Sequence, residues 1–384
     1  MSLPQPSPFI FDGPVEPDML IGRDEETETL RAWARAGRST VIVAPRRFGK
    51  TSLLRRVQVD SERIDRMPVI VVDLYELASM SDLVIRLEHA WATNVPGRLR
   101  NRLGKALAGT EFGVTVLGSG FRMRLADRPR TDPLPALHTL LELPDKMSGR
   151  GGRVVIVFDE FQAAANVDGV EGVLRTYVQA QRDTASYIFS GSQPSMIARM
   201  FGDQARPFYS QAQRFELGRL DAGVLVTTVT DIFDQAGRPG YDGAVTTLMN
   251  LAEGHPQRSM LLAHLLWQHV EPGRCAPPDT TSLVQRVIAD ALRSVTAELT
   301  ALLDVLPINE KKVMRAVAEY GSPLSSRALR DLNLRKPSAQ SAAGSLVDRA
   351  LIERPGSGWD DEVHWRVVDP LTALWLRSRY PTRP

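Results

Sequence analysis

One cysteine, Cys275, in 384 residues leaves no partner for an internal disulfide and too few thiolates for a cysteine-built zinc site, which points to a reducing compartment. Net charge is nearly absent as well. The 47 basic and 45 acidic side chains almost cancel, so bulk charge gives no argument for nucleic acid or a membrane surface, and any basic patch must be local. No apolar run approaches the roughly 20 residues that cross a bilayer, and the opening "MSLPQPSPFIFDGPVEPD" has neither the basic head nor the apolar core of a signal peptide. These absences lead us to expect a soluble, cytoplasmic protein with no membrane partner. Repeats and low-complexity tracts are missing too. What remains, 43% hydrophobic and 24% charged residues, is the make-up of a folded globular chain, and the length implies roughly two or three domains. Arginine far outnumbers lysine, which codon bias explains as readily as phosphate recognition does.

The proline-rich residues 1–20 read as an extended segment lying across the first domain. A helix is predicted from Asp24 to Ala36, its Asp24, Glu25 and Glu26 suiting the positive helix N-terminus. "STVIVAP" reads as a buried strand, "GKTSLLRRVQV" as a helix and "MPVIVVDLYEL" as a second buried strand. Two continuous aliphatic runs in this order predict a parallel sheet covered on both faces. A helix over "MSDLVIRLEHAWATNV", a hairpin over "FGVTVLGSGFRMRLAD" and strands at "RVVIVFDEF", "ASYIFSGSQ" and "QRFELGRL" complete an α/β domain near Leu220. From Asp221 the pattern is all helical to about 305. The C-terminal stretch then reads as three helices, with Ser325 and Ser338 as caps, followed by two short strands around a Gly-Ser-Gly turn, the plan of a winged helix.

Between the first strand and its helix, "APRRFGKT" matches the phosphate-loop template at Gly49, Lys50 and Thr51, with Ala44 where the first glycine usually stands. Such a loop leaves backbone N–H groups aimed at whatever sits over the helix N-terminus, and they favour an anion. Lys50 would reach the β- and γ-phosphates, and the Thr51 hydroxyl would bind Mg²⁺. Alanine at position 44 is harmless at negative φ and costs about 1 kcal/mol or more at positive φ. The nucleotide-binding segment is thus Ala44, Pro45, Arg46, Arg47, Phe48, Gly49, Lys50, Thr51 and Ser52. A second motif, "VVIVFDEF", puts Asp159 at a strand tip as the magnesium-holding acid and Glu160 beside it to polarise a water.

In order along the chain, "LIGRDEETETL", "APRRFGKTSLL", "VVIVFDEF", "IFSGSQPSMI", "EGHPQ" and "WRVVDPLTALWL" resemble the signature segments of the archaeal-type ATPase family, part of the STAND signal-transduction ATPases and related to the AAA+ and Orc/Cdc6 proteins. The resemblance spans about Leu20 to Leu376. It implies an AAA+/STAND-type P-loop NTPase sheet, an all-α helical lid and a winged-helix domain, with boundaries here at 21–220, 221–305 and 306–384. It implies ATP/ADP and Mg²⁺ as cofactors. Ile21, Gly22 and Arg23 would pack beside the base, Pro256 would touch adenine, and Ser192, with Ser190 as rival, would sense the γ-phosphate. His255 reads as a solvated loop residue. Arg199, Arg206, Arg214 and Arg219 all follow the sensor segment, and spacing does not separate them as arginine fingers.

Three functions stay open on these residues. The first is a Mg-dependent ATPase of low turnover working as a nucleotide-controlled conformational switch. The second is an ATP-dependent DNA-binding regulator or processing factor, with the third winged-helix element, about Ser338 to Ala350, on duplex DNA. Arg335, Lys336, Gln340 and Ser341 favour that reading, and the acidic "GWDDE" opposes it. The third is a scaffold that binds nucleotide without hydrolysing it, against which Glu160 argues. A protein partner or a homo-oligomer is open in each case.

Overall fold

The computed structural model describes residues 6–117, 120–125, 132–148, 152–273, 276, 279–354 and 364–380. Cys275, the Gly118–Ser119 turn, the Gly-Ser-Gly turn and its acidic tip lie outside them. Contacts divide the chain into two compact units, Asp24–Ala44 with Lys50–Leu217, and Met1–Arg23 with Pro45–Gly49 and Gly218–Pro384.

The first unit is built on a five-stranded sheet. Its strands are β1 (Thr40–Val43), β2 (Val69–Asp73), β5 (Val154–Asp159), β6 (Ala185–Gly191) and β7 (Gln213–Glu216), and a separate antiparallel pair consists of β3 (Phe112–Leu117) and β4 (Gly120–Leu125). The sheet order is β2-β5-β6-β1-β7, parallel throughout. Every residue of β1 and β6 is buried. Successive side chains point to opposite faces, so both faces are covered. Register aligns Val43 with Gly191 and Phe158 with Phe189, which brings the end of β1, Asp159 and Ser190 to one edge. Below that edge lies a cluster of buried rings, Phe158, Phe161, Phe189, Phe201 and Phe208, with centroids 4.6–6.1 Å apart. Each such pair adds about 0.5–1.5 kcal/mol beyond simple burial.

The second unit is helical. Helices Ala222–Gln235, Asp242–Ala252, Pro256–His269 and Thr281–Asp304 are followed by Ile308–Tyr320, Ser326–Asp331 and Lys336–Asp348. A short antiparallel pair, β8 (Ile352–Glu353) and β9 (Arg366–Val367), then leads into a last helix, Pro370–Arg379. One hydrophobic core runs through all of them, joining Leu248 and Leu266 to Leu299, Met314, Leu346 and Trp375. Ser325 caps its helix as expected, accepting from the Ala328 N–H at 3.2 Å. Ser338 does not cap: the helix begins earlier, at Lys336, where Pro337 fits the first turn. The proline-rich segment also differs from expectation. Phe9, 3% exposed, stacks on Phe233 at 5.7 Å and meets Trp267 edge-on at 5.9 Å, so the segment is anchored in the helical unit by aromatic burial. No helix among the described residues is long and apolar enough to cross a membrane.

Candidate nucleotide site

In the sheet unit, Lys50 opens helix Lys50–Arg63 and is only 7% exposed, with its ammonium donating to the Ala44 carbonyl at 2.9 Å. A buried ammonium at the head of a helix favours an anion nearby. Ala44 is not among the residues of positive φ, so alanine replaces glycine without backbone strain, whereas Gly49 (φ 83°) occupies the left-handed region that glycine tolerates. A Cβ built on Gly49 would meet nothing within 4 Å: the requirement is conformational and the space above is open. Thr51 is exposed and Ser52 buried.

Asp159 ends β5. Burial pushes its carboxyl above the usual range, with Glu160 adding to the rise, while Ser190, the Glu160 N–H (3.0 Å) and the Lys50 ammonium pull the other way. The fully buried Ser190 hydroxyl lies beside the carboxylate and favours its charged form as a neighbour rather than as a hydrogen-bond partner. A carboxylate that burial disfavours, beside a single ammonium, has the chemistry of a cation ligand. The residues therefore fit Mg²⁺, with Thr51 and Asp159 as the groups to hold it. Glu160 adopts a left-handed conformation (φ 52°) between the buried rings of Phe158 and Phe161. Its Oε2 accepts from the Ser192 hydroxyl at 2.7 Å and the Ser192 N–H at 3.3 Å, and also from the Gln162 amide. Ser192 therefore spends its proton on Glu160, and Ser190 lies beside Asp159.

In the helical unit, the loop residues Pro45–Gly49 group with the expected base-side residues. Phe48, 2% exposed, packs edge-on against the His255 ring at 5.0 Å and lies 5.8 Å from the Arg219 guanidinium. Arg23 is buried and donates to the Gly218 carbonyl at 2.6 Å and the Phe48 carbonyl at 3.5 Å. Gly22 (φ 63°) lies against Val224 and Leu220, and Ile21 packs on the helical core. Arg47, left-handed at φ 69°, pairs with Glu298 at 2.5 Å, while Arg46 is exposed.

His255 corrects the sequence expectation: it is 2% exposed. Burial lowers its pKa to about 3, against the opposing pull of Asp369 and with Arg219 and Arg258 adding to the depression. The neutral ring's Nδ1 accepts from the Arg258 N–H at 3.4 Å, capping helix Pro256–His269 with Pro256 at its first position. Arg258 forks onto Asp369, with Nε 3.0 Å from both carboxylate oxygens. Burial alone would raise Asp369, but the guanidinium outweighs it and holds the acid below the usual carboxylate range. Asp369 in turn caps helix Pro370–Arg379. Sequence reasoning missed Arg258, Asp369 and Gln162. For Asp369 the signal was present, an acid directly before a proline and an apolar run.

The four arginines after the sensor segment separate by their partners. Arg206 pairs with Glu171 at 3.2 Å and Arg214 with Glu216 at 2.7 Å. Arg219 bonds the Val368 carbonyl at 2.8 Å and Glu353 at 3.4 Å. The Arg199 guanidinium has no partner among the described residues.

No family model and no curated protein matches the chain. Among solved structures, a Walker-type ATPase of Pyrococcus abyssi aligns at TM-score 0.68 and 18% identity, over 97% of this chain and 100% of that one. The ORC2 protein of Aeropyrum pernix aligns at 0.55 and 13% in its ADPNP–ADP complexes, over 97% and 98%, and at 0.52 and 12% in its ADP form, over 97% of each. The likeness is one of fold: a parallel five-stranded sheet with helices, of the P-loop NTPase architecture seen in these proteins, continued by a helical C-terminal region.

Proposed function

We propose that this chain is a Mg-dependent ATP-binding switch that hydrolyses ATP slowly. The observation that carries the reading is the grouping at one sheet edge: a buried Lys50 that acts electrostatically on a half-buried Asp159, with Glu160 held next to it. ATP is the natural anion for the loop amides and Lys50, and bound Mg²⁺, held by Thr51 and Asp159, would neutralise charge on the β- and γ-phosphates. Glu160 acts as the base toward water. Ile21, Gly22, Arg23 and Pro256 line the base side.

The switch reading is supported by contacts within the helical unit. Phe48 touches Arg219 and His255. Arg219 bonds Val368 and Glu353, and His255 caps the helix whose Arg258 holds Asp369. A shift of the loop on nucleotide binding would move buried partners of β8, β9 and the last helix. Reversing a two-state equilibrium from about 1:99 to 99:1 takes about 5.5 kcal/mol of differential affinity, and micromolar binding supplies about 8 in total. Most nucleotide contacts must then differ between states, as contacts through Phe48 would.

Calorimetry with ATP and Mg²⁺ tests the site. Lys50→Ala should abolish binding, and Glu160→Gln should bind normally while hydrolysis falls at least about a hundredfold. Unchanged affinity in the first variant would remove the site; full turnover in the second would remove Glu160 as the base, and binding without any turnover in the unmodified protein would leave a nucleotide-binding scaffold.

A second reading rests on the C-terminal elements, a winged-helix plan on which Arg335, Lys336, Gln340 and Ser341 are all exposed at the start of helix Lys336–Asp348. Duplex DNA is the partner that surface would take. Binding whose logarithm falls steeply with the logarithm of salt would support it, and light scattering with ADP or an ATP analogue would reveal a homo-oligomer.

A further inference from the structure

Gln162 has no part in the nucleotide chemistry described so far, yet its surroundings are unusual. It stands two residues after Glu160 in the turn Phe161–Asn166 and is 7% exposed. Its Nε2 donates to Glu160 Oε2 and lies 3.5 Å from the Ser192 hydroxyl, which donates to that same oxygen. With the Ser192 N–H, three donors converge on one carboxylate oxygen. None of them engages Oε1. A carboxylate pinned in this way is oriented as well as stabilised, which is what a base aimed at one water requires.

Stability alone does not account for the side chain. Gln162 Oε1 is buried with no hydrogen-bond partner among the described residues, a cost that an apolar residue of the same length would avoid. Its neighbour Gly191 points the same way. That glycine does not have a positive φ, so the backbone does not demand it. A Cβ there would instead run into Gln162 Oε1 and two atoms of Ile197. Glycine at the end of the fully buried β6 leaves room for the amide as well as for Ile197.

We propose that Gln162, admitted by Gly191, is a positioning residue that sets the direction of the Glu160 carboxylate for attack on ATP. The inference rests on the ATPase reading above and concerns a residue that neither the phosphate loop nor the acidic strand-tip motif assigns. The test is Gln162→Met, which keeps length and apolar packing but removes the donor, with Gly191→Ala as a second route to the same displacement. Both variants should bind ATP with wild-type affinity by calorimetry and show kcat lower by roughly tenfold with KM little changed. The side-chain amide resonances of Gln162 in ¹⁵N-labelled protein should shift on Glu160→Ala. Wild-type kcat in Gln162→Met would overturn the proposal, as would amide resonances indifferent to residue 160. If the unmutated protein fails to hydrolyse ATP while those resonances do respond, the ATPase reading falls and the Gln162–Glu160 contact stands as a structural device only.

Discussion

His255 shows how far one residue's chemistry can depart from its sequence context. Lying between Gly254 and Pro256 it looks like loop, but the helix it caps turns its ring inward against Phe48, and burial leaves it neutral with a pKa of about 3 in place of 6.5. The sign of the consequence follows from linkage. Below about pH 6.5 the unfolded chain takes up a proton that the folded ring refuses, so stability is full above that pH and is lost as pH falls toward 3, by up to about 1.4 kcal/mol per pH unit. The charged groups facing the ring are Asp369, which draws a proton toward it, and Arg219 and Arg258, which oppose that. Asp369, itself held low, adds its own loss only below the ordinary carboxylate range. His264 is also lowered by burial and contributes in the same window. His255→Asn keeps a cap-competent side chain and removes the titration. Urea melts at pH 7 and pH 5 should then show a smaller loss in the variant than in the unmodified protein. An equal loss would mean that the ring takes up its proton in the folded state.

At the scale of elements, the acidic strand tip depends on the rings around it. Asp159 and Glu160 are bracketed by Phe158 and Phe161, and Phe161 lies 4.6 Å from the Phe189 ring and 5.0 Å from Phe208. The cluster holds a left-handed glutamate that costs about 1 kcal/mol or more in backbone strain, so its packing sets the geometry of the proposed base. Phe161→Leu, which keeps an apolar side chain but takes the ring out of its pairs with Phe158, Phe189, Phe201 and Phe208, should cost about 2 kcal/mol or more and leave ATP binding intact while turnover drops severalfold. Unchanged turnover would assign the rings to stability alone. These elements were also the most legible in the sequence. Aliphatic runs of five or six residues ending in Asp or Gly can only be buried strands, and Gly49-Lys50-Thr51 with Asp159-Glu160 marks both halves of the site. What stayed hidden was non-local. Nothing near Gln162 reveals that Gly191, twenty-nine positions on, makes room for it. Nothing near Arg258 reveals Asp369. Local signals misled at Ser338 because a better helix start, Lys336-Pro337, lay just upstream, and the proline-rich lead-in gave no sign that Phe9 would find Phe233 and Trp267.

For the molecule as a whole, the phosphate loop is where the two units share one short stretch of chain: Ala44 and Lys50 group with the sheet, Pro45 to Gly49 with the helices. Within the helical unit the loop residue Phe48 meets Arg219 and His255, which is the physical basis for expecting a change at the loop to be felt far along the sequence. The C-terminal elements are equally hard to separate from the helices before them. Leu299, Leu303 and Leu306 share a core with Val313, Met314 and Trp375, and the Trp375 indole donates to the Thr296 hydroxyl at 3.2 Å. A chain ending at Leu306 would therefore lose more than a regulatory appendage. It would open that core and strip Arg258, 2% exposed, of the Asp369 carboxylate. Breaking a buried pair from one side alone costs about 3–5 kcal/mol. We expect the truncated chain to melt well below the full one and to aggregate, so that any change in its ATPase would report damage rather than release from control. Phe48→Leu in the intact chain is the cleaner probe: it keeps the core and loosens the contact with His255 and Arg219. Nucleotide should then still bind, while the ATP-dependent change in protease protection of residues 308–380, followed by mass spectrometry, should shrink. A truncated chain that melts like the full one would instead make the C-terminal elements an independent domain, and protection in Phe48→Leu equal to that of the unmodified protein would take Phe48 out of the relay.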